Sequence, residues 1–226
     1  TDTNNLYGAM EFYKACKKKE LTPIIGVEIS VAEKSMWEDI NTADNRTFKM
    51  VLLAKTTEGY KNLLKLVSFA HIEPKGKATP CLDLTKIFEY KDGLVLLSGL
   101  TESYIWEKLR QDDMTSAEKF VNDCKQIFAE DFYLEVGTLP QVENGEKVRA
   151  HTIDLAKKTG IKLIASYNVH YLDPGDRSAL KILSGISQNI EAKDRYKQWF
   201  EKGYYNLYGE ADVRKHFADI PDAVDN

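Results

Sequence analysis

Strand-length apolar runs alternate with stretches of helical periodicity along most of this 226-residue chain, and that alternation limits the possible folds more than any other feature. The strand candidates are PIIGVEISV, which ends near Glu28 and Ser30, then Phe48 to Thr56, Leu94 to Gly99, Phe132 to Val136 and Lys162 to Ser166. Between them, apolar residues recur at helical spacing: Leu6, Met10, Tyr13 and Cys16, then Tyr60, Leu63, Leu64 and Val67 on a helix capped by Thr57. Further helices are read at Asp83 to Phe88, Ser103 to Gln111, Thr115 to Glu130, Glu146 to Thr159, Asp176 to Gln188 and Glu210 to Phe217. The expected class is α/β, as a barrel or as an open parallel sheet coated by helices. The pair Pro23–Val31 and Phe48–Thr56 stands apart: no helix joins them, only a polar insertion from Ala32 to Thr47, so they are read as antiparallel.

Such folds present their chemistry at the carboxyl ends of strands. The stretch Ile161 to Pro174, IKLIASYNVHYLDP, has that form: a strand expected to be buried, followed by Asn168 and His170. Two residues apart on an extended chain, they point to one face. Glu28 and Glu135 also fall near strand ends, and His71 follows an apolar helix before the loop Lys75 to Pro80. His151 and His216 sit on helices rich in charge and are read as surface residues. Asp2, Glu28, His71 and His170, with Glu135 as a further member, form a candidate metal set. Mixed carboxylate and imidazole donors suit zinc or manganese in a water-activating site. Equally, such residues occupy loops and strand ends for solvation alone, and no close ligand spacing singles these out.

Other classes are excluded or weakened. No glycine-rich phosphate loop, G-x-S-x-G or H-E-x-x-H occurs. With 31 basic against 35 acidic side chains the net charge is −4, which disfavours direct gripping of nucleic acid by this segment. Cys16, Cys81 and Cys124 are scattered without zinc spacing and read as small buried residues in a reducing, cytosolic setting. No run reaches membrane-spanning length and no signal peptide is evident. Near the end, Trp199 and Phe200 mark a loop and Tyr204 to Tyr208 a short strand. Both ends look cut. The chain opens on TDTNNLYG, and at its close Asp219 as cap and Pro221 announce a helix that is not completed.

Several ordered motifs resemble one family. TDTNNLYGAMEFYKAC followed by TPIIGVEISV is similar to the polymerase and histidinol phosphatase (PHP) domain of bacterial DNA polymerase III alpha subunits. There the pattern runs Thr-Asp-His-Gly-Asn-Leu-x-Gly-Ala, then Pro-Ile-x-Gly-x-Glu. LVSFAHIE, LVLLSG, FYLEV, ASYNVHYL and FADIPDAVDN resemble later landmarks in the same order.

The resemblance implies a distorted (β/α)7 TIM-like barrel whose amino-terminal strand is missing from this segment. It implies a PHP domain over residues 1–208, with 209–226 starting the connection to a polymerase body. As family ligands it implies Glu28, His71 and His170. Thr3 stands where the family has histidine, Asn168 where it has aspartate, and Leu100 where many members have cysteine. These replacements fit a site that has given up its metals. Without cations, two carboxylates about 4 Å apart repel by roughly 4 kcal/mol at an effective dielectric of 20. Neutral Asn168 relieves such repulsion. The implied parent is a cytoplasmic DNA-directed DNA polymerase using magnesium, with its nucleotidyl-transfer carboxylates beyond residue 226. Within it this segment is expected to be a metal-depleted structural and docking domain. Its implied partners are the rest of the polymerase chain, a proofreading exonuclease subunit and other replisome proteins, with DNA reached through the parent. The alternative is a zinc- or manganese-dependent 3′-5′ exonuclease or phosphoesterase.

Overall fold

The fold is mixed α/β, and the sheet is built by alternation visible in its strands. In the computed structural model, which describes residues 1–39, 45–73, 80–138, 142–187 and 205–226, six strands follow one another across the sheet in sequence order. They are β1 (Asp2–Thr3), β2 (Gly26–Ala32), β3 (Thr47–Ala54), β4 (Leu94–Leu97), β5 (Phe132–Val136) and β6 (Lys162–Ala165). β1 runs parallel to β2 and β4 parallel to β5, whereas β3 runs antiparallel to both β2 and β4. The expected β2–β3 hairpin is therefore present, in a register that sets Ser30 opposite Lys49 and Glu28 opposite Val51. An all-parallel sheet is not: β2 and β3 are joined without a crossover helix and run antiparallel, and β3 and β4 are also antiparallel although two helices lie between them in the chain.

The chain divides into two units, the first comprising Thr1–Leu134 with Thr159–Ile161, the second Glu135–Lys158 with Lys162–Asn226. In the first, β3 buries Phe48, Met50 and Leu52 and turns Lys49 and Val51 the other way, the period-two pattern of a strand with one packed face. Helix α2 (Thr57–Ile72) buries Gly59, Asn62, Leu63, Leu66 and Ala70, a helical stripe. Its cap is Thr56, not Thr57: the Thr56 hydroxyl accepts from Gly59 N–H at 3.1 Å. Cap choice was decided at long range, because Lys55 and Thr56 both donate their backbone N–H to Gly93 O. Gly93 has φ +74°, and a Cβ on Gly59 would lie 1.9 Å from Gly93 O, so both positions need glycine. Helix α1 (Ala9–Lys18) buries no residue, and Tyr7, Met10, Phe12, Leu21 and Ile24 around it are exposed. Helices α3 (Leu84–Glu89), α4 (Tyr104–Arg110) and α5 (Met114–Phe128) complete this unit, capped by Asp83, Ser103 and Asp113. Cys81 and Cys124 are buried as expected, and burial pushes the Cys124 thiol up to about 12; Cys16 is half-buried.

The second unit holds α6 (Gly145–Thr159), α7 (Arg177–Ser187), α8 (Glu210–His216) and α9 (Asp222–Asp225). The closing helix is thus present as one turn after Pro221, and Asp219 does not cap it. Asp219 instead holds Arg149 of α6 through two bonds of 2.8 Å. Phe217, fully buried, packs with Val136 and Ala223 and against Leu163, Tyr167 and Ile220, so Phe217 and Ala223 belong to a core of this unit while the helix Glu210–His216 buries no residue. The loop at 75–79, Trp199, Phe200, Tyr204 and the middle of the insertion, 40–44, lie outside the described residues. Of the expected strand at 204–208, Asn206 makes a single parallel bridge to Tyr171.

Candidate functional site

Three backbone facts position the residues of the first unit. β1 lies parallel to β2 with Thr3 opposite Glu28. Asn4 then turns into the left-handed region, φ 56°, which asparagine tolerates and which the resembled pattern meets with glycine. From there its N–H donates to Glu28 O at 2.7 Å. Glu28 itself lies within β2, which continues to Ala32, rather than at a strand end. The longer strand follows from β3, whose Phe48 and Thr47 pair with Val31 and Ala32.

A polar network grows on this frame. The Asn4 side-chain amide donates to Ser30 Oγ at 3.0 Å, and Asn4 Oδ1 accepts from Ser30 N–H at 2.7 Å. Asn4 and Ser30 are both buried. Lys49, which faces Ser30 across the hairpin, donates from Nζ to Ser30 Oγ at 2.9 Å and stands 3.8 Å from Glu28 Oε1. The Thr3 hydroxyl donates to the same Glu28 oxygen at 3.0 Å. His71, near the end of α2, sets Nε2 2.7 Å from Asn4 O. A carbonyl only accepts, so that nitrogen carries the proton. Asp2 is turned away to the start of α1, where its carboxylate accepts from Gly8 N–H at 3.0 Å.

The donors expected to hold a metal are therefore committed otherwise. Glu28 meets an ammonium and a hydroxyl, the His71 Nε2 is a proton donor, and Asp2 serves a helix start. Among the described residues no three His, Cys, Asp or Glu side chains gather where one cation could touch them. The first unit's set does not fit a multinuclear metal centre, since such a centre needs deprotonated, convergent donors.

In the second unit the expected buried strand is half-buried and short. β6 stops at Ala165, so Asn168 and His170 lie beyond it and the extended-chain reading of their common face does not hold. Leu163 and Ala165 of β6 are half-buried against Val136, Phe217 and Ala223, and the segment after the strand bonds to 205–207 instead of continuing a ladder. His170 N–H donates to Tyr205 O at 2.8 Å, and the exposed His170 ring meets the Tyr205 ring edge-on at 5.7 Å. Asn168 is half-buried. Glu135, 8% exposed at the end of β5, accepts a bond of 2.7 Å from Ser166 Oγ–H. His216 is exposed, as expected, and its Nδ1 lies 2.7 Å from Tyr167 Oη. Burial pushes the Tyr167 phenol above its ordinary value. His151 is not simply a surface residue: its Nδ1 is buried.

Sequence reasoning missed Lys49, Asn4 and Ser30. A signal for Lys49 existed: it is the lone charge inside the apolar run FKMVLLA, at a position whose alternation turns it away from the core.

The PHP domain family matches residues 1–138. DNA polymerase III subunit alpha of Borreliella burgdorferi is 28% identical over 227 residues, covering 100% of this chain and 20% of the relative. The subunit of Aquifex aeolicus is 32% identical across 82% of this chain and 16% of its own length. That of Thermus aquaticus is 33% identical across 86% of this chain and 16% of its own length. The chain thus spans about a fifth of the length of such relatives.

Proposed function

The chain belongs to the PHP domain family, as a segment homologous to part of DNA polymerase III alpha subunits, and we propose that it serves such a polymerase as a structural and docking domain without a metal centre. One observation supports the reading: at Oε1 of Glu28 the Thr3 hydroxyl donates at 3.0 Å and the Lys49 ammonium stands 3.8 Å away, a hydrogen bond and a positive charge supplied by the protein itself. A carboxylate held this way is stable with no ion bound, which is what a structural site requires.

The parent would be a cytoplasmic DNA-directed DNA polymerase using magnesium at carboxylates elsewhere, and DNA would be reached through that parent. Among the described residues no helix is long and apolar enough to cross a membrane. Partners would be the remaining polymerase chain and replisome proteins such as a proofreading exonuclease subunit. The (β/α)7 TIM-like barrel remains part of this proposal. In the structure β1 stands at one end of the strand order, and the apolar side chains around α1 are exposed. Residues 209–226 would lead toward the polymerase body from a start anchored by Phe217.

The competing reading is a metal-dependent 3′-5′ exonuclease or phosphoesterase, using zinc or manganese at Glu28, His71 and His170, with Asp2 and Asn168 nearby. Release of 3′ nucleotides from single-stranded DNA separates the two. The proposal expects no metal-stimulated release beyond background. Release stimulated by manganese or zinc and lost in both Glu28→Gln and His170→Ala would establish the exonuclease instead.

A further inference from the structure

The polar insertion between β2 and β3 is pinned at both ends and turns one large aromatic side chain outward. As the chain leaves β2, Ala32 N–H donates to Leu82 O at 2.7 Å, and Leu82 N–H donates to Ser30 O at 3.0 Å. Glu33 N–H donates to Arg46 O at 2.8 Å, which joins the two arms of the insertion. Asn45, 2% exposed, holds the inside: its Oδ1 accepts from Lys34 N–H at 3.0 Å, and its amide donates to Ser35 O at 2.9 Å. Met36 is fully buried, and its N–H donates to Asp83 Oδ2 at 3.4 Å. The other oxygen of Asp83 caps α3, accepting from Lys86 N–H at 3.0 Å, so one carboxylate ties the insertion to that helix.

Trp37 comes directly after this anchor. Its N–H donates to Ser35 Oγ at 3.2 Å, yet the residue is 62% exposed. An indole stabilises a fold through the area it buries, so this one contributes little to the first unit. Its backbone is already fixed, and a partner that covers it has few further groups to order. A tryptophan in that position is the kind of residue that dominates the energy of a protein interface. Glu38 and Asp39, which follow it, are exposed as well. Over residues 33–39, Glu33, Glu38 and Asp39 stand against Lys34 alone. Such a surface repels phosphates and draws cationic groups.

We infer that Trp37 is a docking knob for another protein of the replication machinery, one whose apolar pocket takes the indole and whose rim of Lys and Arg meets Glu38 and Asp39. The indole N–H only donates, so that pocket also carries an oxygen acceptor. Charge complementarity of this kind sets partner choice and speeds encounter, while the buried aromatic ring supplies most of the affinity. The knob rests on the docking half of the proposed function and stands whichever way the metal question is answered.

The test places p-benzoylphenylalanine at position 37 of the full polymerase chain in cells and sequences what light attaches to it. The expected product is a single other protein, joined at an apolar site with Lys or Arg nearby. Titrated with that protein in purified form, Trp37→Ala should bind about tenfold more weakly or worse, and Trp37→Phe should recover part of the loss. Glu38→Lys should also weaken binding, whereas Glu58→Lys, the same reversal at an exposed position of α2, should not. Thermal unfolding of Trp37→Ala should match that of the unaltered protein, which separates lost docking from lost folding. Attachment to DNA, to the same polymerase chain or to nothing would overturn the knob, as would unchanged affinity in Trp37→Ala. A replisome protein that still binds Trp37→Ala at full strength would leave the docking role standing without this site; failure of every replisome protein to bind would remove both.

Discussion

Lys49→Met removes the ammonium from the Glu28 network while keeping an unbranched apolar stem in the strand. Two interactions go with it: the 2.9 Å bond to Ser30 Oγ and the 3.8 Å approach to Glu28 Oε1. At an effective dielectric of 20 the bare attraction across that distance is about 4 kcal/mol. The Glu28 side chain is 36% exposed, however, so water screens most of it and about 0.5–1 kcal/mol survives. Loss of a bond from a charged donor adds up to about 1.5 kcal/mol, moderated because Ser30 keeps its Asn4 donor. Together the variant should lose about 1–2 kcal/mol. Urea unfolding should show this as a lower midpoint at unchanged slope. Combining it with Glu28→Gln should recover part of the loss, a coupling of about 0.5–1 kcal/mol. If Lys49→Met unfolds within about 0.3 kcal/mol of the unaltered protein, or the pair is strictly additive, the ammonium does not stand in for a cation and the reasoning fails.

Other expectations follow from the same structure. Gly59→Ala puts a methyl group 1.9 Å from Gly93 O, a backbone atom that cannot step aside, and should destabilise by about 1–3 kcal/mol or more, read by thermal unfolding. Hydrogen bonding and charge from Arg149 hold the Asp219 carboxyl below its ordinary range. Because the folded value is the lower one, this contribution is complete above the unfolded value near 4 and disappears as pH falls through the folded one. Asp219→Asn should therefore be less stable than the unaltered protein at pH 7, and the difference should shrink in acid unfolding below about pH 4. In thiol titration under native conditions, half-buried Cys16 should react well before Cys124, whose buried thiol is pushed up to about 12.

What the sequence made legible was local. The apolar run from Phe48 placed β3, and the helical spacing of Tyr60, Leu63, Leu64 and Val67 placed α2, although the face α2 buries is Gly59, Asn62, Leu63, Leu66 and Ala70, with Leu64 exposed. What escaped depended on partners far along the chain. Thr56 rather than Thr57 caps α2 because Gly93 captures the preceding backbone. Asp219 leaves the cap position because Arg149 takes both its oxygens. β2 outruns Glu28 because β3 pairs along its full length. At the site, the changes at Thr3 and Asn168 were visible as residues, but the group compensating Glu28 was not. Lys49 sits 21 residues away, and only the strand register brings it opposite Ser30.

The central claim is that Glu28 is satisfied by the protein and needs no ion. Calorimetric titration of the protein with manganese and with zinc tests it most directly, run beside Glu28→Gln. The account predicts no stoichiometric binding that depends on Glu28, with the two proteins giving the same trace. A single site of sub-micromolar affinity that disappears in Glu28→Gln would contradict it.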